Sequence, residues 1–230
     1  FLIGTFSFMS FTLYRAVHQT HHMHLASERD EELWPFVLTR MPRWRRVLFA
    51  ALELTAGFLV TPFIFIRAFM RKGSPVRAAK VRARIRREFA IMALVWGAIL
   101  FAVAWWGVWR YFLWMFLIPA VLAADMQSWR KYIEHVGMSG NTPNSATRSI
   151  VCNTWAGRLM AFTLLHEPYH GVHHRHAGIP HARLPQWVAT LTPQGAGEIP
   201  PFPSYRRALL HLLRSLADPR VGGQWRRRSS

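Results

Sequence analysis

Two apolar stretches, residues 89–108 and 111–127, each approach the roughly 20 residues that carry a helix across about 30 Å of hydrocarbon. Backbone placed in hydrocarbon must satisfy its own N–H and C=O groups, so two adjacent stretches of this kind predict a helical hairpin. Between them lies Trp105-Trp106-Gly107-Val108-Trp109-Arg110, where tryptophans suit a membrane interface and Gly107 suits a tight turn. Basic residues precede the first stretch (71–87) and follow the second (Trp129-Arg130-Lys131). By the positive-inside rule both flanks are cytoplasmic and the tryptophan turn lies on the far side.

The rest of the chain fits the same setting. Hydrophobic residues make up 51%, with 11 Trp and 16 Phe in 230 residues, which is too apolar and aromatic for an ordinary soluble domain. The net charge of +18 is mostly Arg, gathered at residues 40–46, 67–87, 130–131 and 226–228, where apolar segments end. That placement favours an anionic leaflet over nucleic acid, for which no binding motif is present. The lone Cys152 excludes an internal disulfide and a Cys-rich metal site. Residues 1–17 read as the end of a further span. Residues 47–70, interrupted by Glu53 and Pro62, read as a re-entrant or interfacial helix or as two short helices. Residues 150–165 read as a helix on the membrane face, Pro180 and Pro185 as breaks in regular structure, and Tyr205, Leu209, Leu212, Leu213 and Leu216 as the stripe of a final amphipathic helix. The expected fold class is all-α: a polytopic helical membrane protein with a cytoplasmic, histidine-rich, metal-binding cap, residues 1–230 forming a single domain.

One histidine spacing occurs twice, as His18-x-x-His21-His22 and His170-x-x-His173-His174. On a helix the offsets i, i+3 and i+4 share one face, so each triplet can offer convergent imidazoles to a metal. Ten of the 12 histidines fall in or beside these clusters: 18, 21, 22 and 24, then 166, 170, 173, 174, 176 and 181. His135 follows the second span by about two helical turns and can approach the same site from a third direction. His166 reads as a ligand or as a hydrogen-bonding neighbour of one. Glu134 and Glu167 can accept the second N–H of a ligating imidazole or add a ligand. His24, His176, His181 and His211 read as solvated or structural. Imidazole suits iron, zinc, copper and nickel, so spacing alone leaves the metal open.

The ordered motifs Tyr14-Arg15-Ala16-Val17-His18-Gln19-Thr20-His21-His22, Ile133-Glu134-His135 and His166-Glu167-Pro168-Tyr169-His170-Gly171-Val172-His173-His174, followed by Gly178 to Pro185, resemble the membrane fatty acid desaturase family and its hydroxylase and carotenoid ketolase relatives. The resemblance implies two iron ions (Fe2+/Fe3+) held by His18, His21, His22, His135, His170, His173 and His174. It implies O2-dependent desaturation of a fatty acyl or related lipid chain, or else hydroxylation of a lipid or alkane or ketolation of a carotenoid. It also implies an integral membrane location, a metal site on the cytoplasmic side, and an external electron donor of ferredoxin or cytochrome b5 type. The family's earlier HxxxH box is not found before His18, and the expectation is that it lies upstream of an N-terminally truncated sequence; a degenerate, inactive member is the alternative. A membrane metal-binding or transport protein is the rival of another class. It needs ionisable ligands near mid-bilayer, and the two clear spans have none there, Asp125 lying at the end of its span.

Overall fold

Helices dominate because apolar runs without turn residues alternate with short Gly-, Pro- and Asn-containing connections. The computed structural model describes residues 2–228, so Phe1, the first residue of the expected N-terminal span, lies outside them. In chain order the helices are α1 (Leu2–Phe6), α2 (Phe11–Met23), α3 (Arg43–Thr55), α4 (Gly57–Met70), α5 (Ala79–Trp105) and α6 (Trp109–Phe112). A π-helical turn (Leu113–Leu117) leads into α7 (Ile118–His135), followed by α8 (Pro143–Ala146), α9 (Trp155–Thr163), α10 (His170–Arg175) and α11 (Tyr205–Leu213). Two 3-10 segments, His181–Leu191 and Gly223–Arg228, complete the order. Among the described residues there is no strand, only an isolated bridge between Ile150 and Phe202.

The chain divides into two compact units, Phe1–Thr20 with Ala51–Trp129, and His21–Ala50 with Arg130–Ser230. Ala79–Trp105 and Trp109–His135 are each 27 residues long and apolar enough to cross a membrane. Only 22% and 6% of their apolar windows are buried, so these are not core helices of the ordinary kind. The turn between them ends α5 as the spacing predicts. Gly107 takes φ +64, its N–H bonds Ala104 O, and the Val108 N–H bonds Val103 O, the paired bonds of a left-handed helix stop.

The N-terminal segment departs from a continuous span. α1 and α2 are separate, Phe8 has φ +52, and Ser10 Oγ accepts the Leu13 N–H at 3.1 Å as the cap of α2. Glu88 of α5 accepts from Ser10 Oγ (2.6 Å) and from the Thr12 N–H (3.1 Å), placing a carboxylate at the start of α2.

Residues 47–70 form two helices, α3 and α4, as one of the alternatives had it, but the break falls at Ala56. Glu53 and Pro62 both lie inside helices. The position of the break follows from contact with α7: the Gly57 N–H donates to Asp125 Oδ1 at 2.7 Å, and a Cβ at Gly57 would come within 2.1 Å of Ser128 Oγ. Asp125 therefore serves as the acceptor at the start of α4. Gly57→Ala is expected to lower stability by about 1–3 kcal/mol through this overpacking, with part of the loss recovered when Ser128→Ala is added. Thermal unfolding of the detergent-solubilised protein measures it, and an unchanged transition for the single variant would count against the contact.

In the second unit, Ala161, Tyr169, Val172, Leu184 and Leu191 form a buried cluster beneath α10, with Val151 and Ile179 against it. Pro185 does not break the chain here: it is accommodated inside the 3-10 segment. α9 begins later than expected, at Trp155, capped by Thr154, and α11 buries Ala208 and Leu212 while Leu213 faces outward. Two basic residues assigned above to lipid contact are instead used internally. Arg46 is buried against Asp218 and the Trp225 ring, and Arg130 bridges two carboxylates. A guanidinium removed from water needs such partners to offset its desolvation.

Candidate metal centre

The second unit gathers its histidines from three places: the C-terminal turn of α2 (His21, His22), the last residue of α7 (His135), and α10 (His170, His173, His174). α10 sits close to its support because residue 171 is glycine. A Cβ there would lie 2.9 Å from both Leu191 Cδ2 and Ser149 Oγ, and the Gly171 N–H donates to Ser149 Oγ at 2.7 Å. Val172 faces the apolar cluster below, leaving the imidazoles of the helix to the opposite side.

The ring nitrogens converge. His21 Nε2 lies 3.3 Å from His174 Nε2, His174 Nε2 lies 3.1 Å from His170 Nε2, and His170 Nε2 lies 2.8 Å from His135 Nε2. His22 Nε2 and His173 Nε2 are 3.0 Å apart. The donor atoms of His21, His135 and His174 all lie within 4.8 Å of one another, as do those of Glu134, His135 and His170. His18 stands one turn before His21 and His22 on α2, among the residues of the first unit, with its ring stacked on Tyr14.

Three of the opposite ring nitrogens lie near an oxygen. His21 Nδ1 is 2.8 Å from Asp30 Oδ2, His135 Nδ1 is 3.2 Å from the Ala146 carbonyl, and His170 Nδ1 is 3.4 Å from Glu167 Oε2. In a neutral imidazole whose outer nitrogen keeps the proton, as the acceptors beside His21 and His135 favour, the lone pair lies on Nε2 and points into the cluster. Lone pairs facing each other at such separations repel, and a shared cation removes the repulsion. The donor set, neutral nitrogen with a nearby carboxylate, suits a first-row transition metal such as iron.

Electrostatics favour the neutral state for His170 and His174. Burial pushes His170 down to about 4, against the opposing pull of Glu167. Burial and the surrounding imidazoles hold His174 well below the usual histidine range. His21 differs: burial works against its imidazolium, but the Asp30 charge and hydrogen bond outweigh that and push it up to about 9.

Among the other sequence candidates, Glu134 and Glu167 flank His170 and share Arg130, whose Nη1 is 3.1 Å from one carboxylate and 3.0 Å from the other. His166 is turned elsewhere, at φ +56, with its ring stacked on His181 at 6.0 Å. His211 accepts the Arg148 Nε–H at 2.9 Å, and His176 packs on Trp187. Sequence reasoning missed Asp30, Arg130 and the Ala146 carbonyl. Asp30 alone left a trace in the sequence, an acid nine residues after His21 in a short polar loop.

Asp30 is buried, and besides His21 it accepts backbone N–H groups from Ala26 (3.0 Å), Glu32 (3.2 Å) and Leu33 (3.3 Å). Asp30→Ala strands all four donors and is expected to cost about 3–5 kcal/mol, the usual consequence of removing one partner of a buried charged pair. Asp30→Asn keeps an acceptor for the backbone and should cost less. Denaturant unfolding of the two variants beside the parent checks the order, and equal stability of all three would refute the role given to Asp30.

Residues 1–206, which include both histidine clusters, match the family described as fatty acid desaturase. No curated protein and no solved structure matches the chain. The match extends over most of the sequence and through every histidine that converges here, and on that ground the chain belongs to the fatty acid desaturase family.

Proposed function

We propose that this chain is a membrane oxidoreductase that desaturates a fatty acyl or related lipid chain at a site built for two iron ions. The observation that carries the reading is the convergence of His21, His22, His135, His170, His173 and His174 through Nε2, in a chain whose family implies oxidoreductase activity in general. His18 joins the ligand set by its place one turn earlier on α2. Glu134 and Glu167 complete the surroundings, and residues 1–230 act as one desaturase-like domain.

When bound, the iron pair supplies O2 activation and hydrogen removal from an unactivated C–H bond. The chain's own residues do the rest. Asp30 and the Ala146 carbonyl hold the outer nitrogens of His21 and His135, favouring one tautomer and ring direction for each, and Glu167 stands 3.4 Å from the outer nitrogen of His170. Burial of His21, His135 and His170 keeps water away from the donors. The overall balance is closed by an external donor: the alkyl chain gives two electrons and two protons, a ferredoxin or cytochrome b5 type protein gives two more electrons, the medium gives two protons, and O2 leaves as two waters.

The membrane part of the reading is supported by the two long helices whose apolar surfaces are largely exposed, and by Trp105, Trp106 and Trp109 exposed at the turn between them. With basic residues on the opposite flanks of this hairpin, the positive-inside rule puts the metal site on the cytoplasmic side, where an acyl chain reaches it from the bilayer and a soluble donor from water.

The test is lipid analysis of cells expressing the chain beside cells expressing His173→Ala, together with the metal content and optical spectrum of the purified proteins. The parent is expected to hold about two irons without a haem Soret band, as an imidazole-rich non-haem site requires, and to add double bonds to acyl chains. His173→Ala should lose both iron and product. Hydroxylated lipids in place of unsaturated ones would reassign the outcome of C–H cleavage, and identical lipid profiles with no bound iron would end the enzymatic reading.

A further inference from the structure

Glu134 precedes His135 directly at the end of α7, and consecutive helical residues ordinarily diverge by about 100°. Here both reach one point. His135 Nε2 is 2.8 Å and Glu134 Oε2 is 3.7 Å from the same atom, His170 Nε2, and all three residues are buried. The 3.7 Å separation is too long for a hydrogen bond, so Glu134 does not occupy the place of an acceptor for that nitrogen.

The two oxygens of the carboxylate are used differently. Oε1 accepts from Arg130 Nη1 at 3.1 Å, which sets the plane of the group and leaves Oε2 turned toward the histidines. His170 and His135 have their Nδ1 atoms beside Glu167 and the Ala146 carbonyl, so two ring nitrogens and one carboxylate oxygen face each other in a buried space. Arg130 is divided between Glu134 and Glu167 and supplies one positive charge to two carboxylates. A metal cation at the common point would give these three converging donor atoms a shared partner. The observed separations bracket the roughly 3.0–3.4 Å edges between neighbouring ligands that bonds of about 2.1 Å would give.

We propose that Glu134 is a ligand through Oε2, sharing one divalent first-row metal ion with His135 and His170, and that Arg130 is the residue that positions it. The proposal rests on the metal-centre reading above and gives one ion of that centre a carboxylate oxygen among its donors. A carboxylate also adds negative charge beside its ion, which neutral imidazole does not.

Glu134→Gln separates this role from a purely structural one, because Gln retains an acceptor for Arg130 but is a far weaker ligand. Full-length parent and variant are purified in detergent, freed of metal, checked for helix content by circular dichroism, and titrated with Co(II) and with Fe(II). The expected result is a fall from about two tightly bound ions to about one, with the affinity of the affected site weakened about tenfold or more and a changed Co(II) absorption spectrum. Two ions bound with an unchanged spectrum would overturn the proposal while leaving the histidine site intact, whereas a parent that binds no metal overturns both. If the variant does not fold, the infrared difference spectrum of metal addition to the parent decides: a shifted carboxylate stretch supports ligation, and an unmoved one overturns it.

Discussion

The arrangement depends on one constraint, that imidazole nitrogens brought within about 3 Å of one another in a buried space must be held there by something other than their own attraction. Hydrogen bonds to the outer nitrogens provide the hold. Asp30 and the Ala146 carbonyl each take one outer nitrogen, and through the rigid ring each also determines where Nε2 points, while Glu167 lies 3.4 Å from His170 Nδ1. The acceptors are themselves fixed: Asp30 by backbone N–H groups of its own loop, and Glu167 by Arg130. Orientation is thus transmitted outward from the cluster to ordinary loop and helix backbone.

The polar supports lie at helix ends. α2 delivers His21 and His22 from its last turn, α7 ends on His135, and α10 is a short helix consisting mostly of the second triplet. Helix ends are where a regular element can both fix a side chain and hand the chain to a loop that supplies a partner. The same economy recurs away from the histidines. Asp125 accepts the first N–H of α4, and Glu88 stands at the start of α2, so two acidic side chains of long apolar helices serve as acceptors for neighbouring helix N-termini. Acids in such surroundings are costly unless paired, and these pairings give each a local purpose.

Charge was the least legible property. Composition and clustering assign the arginines to a lipid surface, and many of them are exposed along residues 71–87. Arg46, Arg130 and Arg148 are different. Arg46 meets Asp218, Arg130 meets Glu134 and Glu167, and the wholly buried Arg148 donates to His211 and to the Ile133 carbonyl. Nothing in a run of basic residues distinguishes the one that will be buried, because burial is decided by which distant acid or carbonyl the fold brings alongside.

The sequence by itself determined the elements whose cause is local. Apolar length produced the two long helices, Gly107 allowed the left-handed stop between them, and the i, i+3, i+4 spacing lined up each histidine triplet on its own helix. Tertiary structure decided the rest: the break at Ala56 imposed by contact with Asp125 and Ser128, the turning of His166 toward His181, and the choice of Asp30, Ala146 and Arg130 as supports. The physical reason is the range of each interaction. Helical periodicity acts over a few residues and can be read along the chain, whereas hydrogen bonds and ion pairs form between groups that only packing makes neighbours.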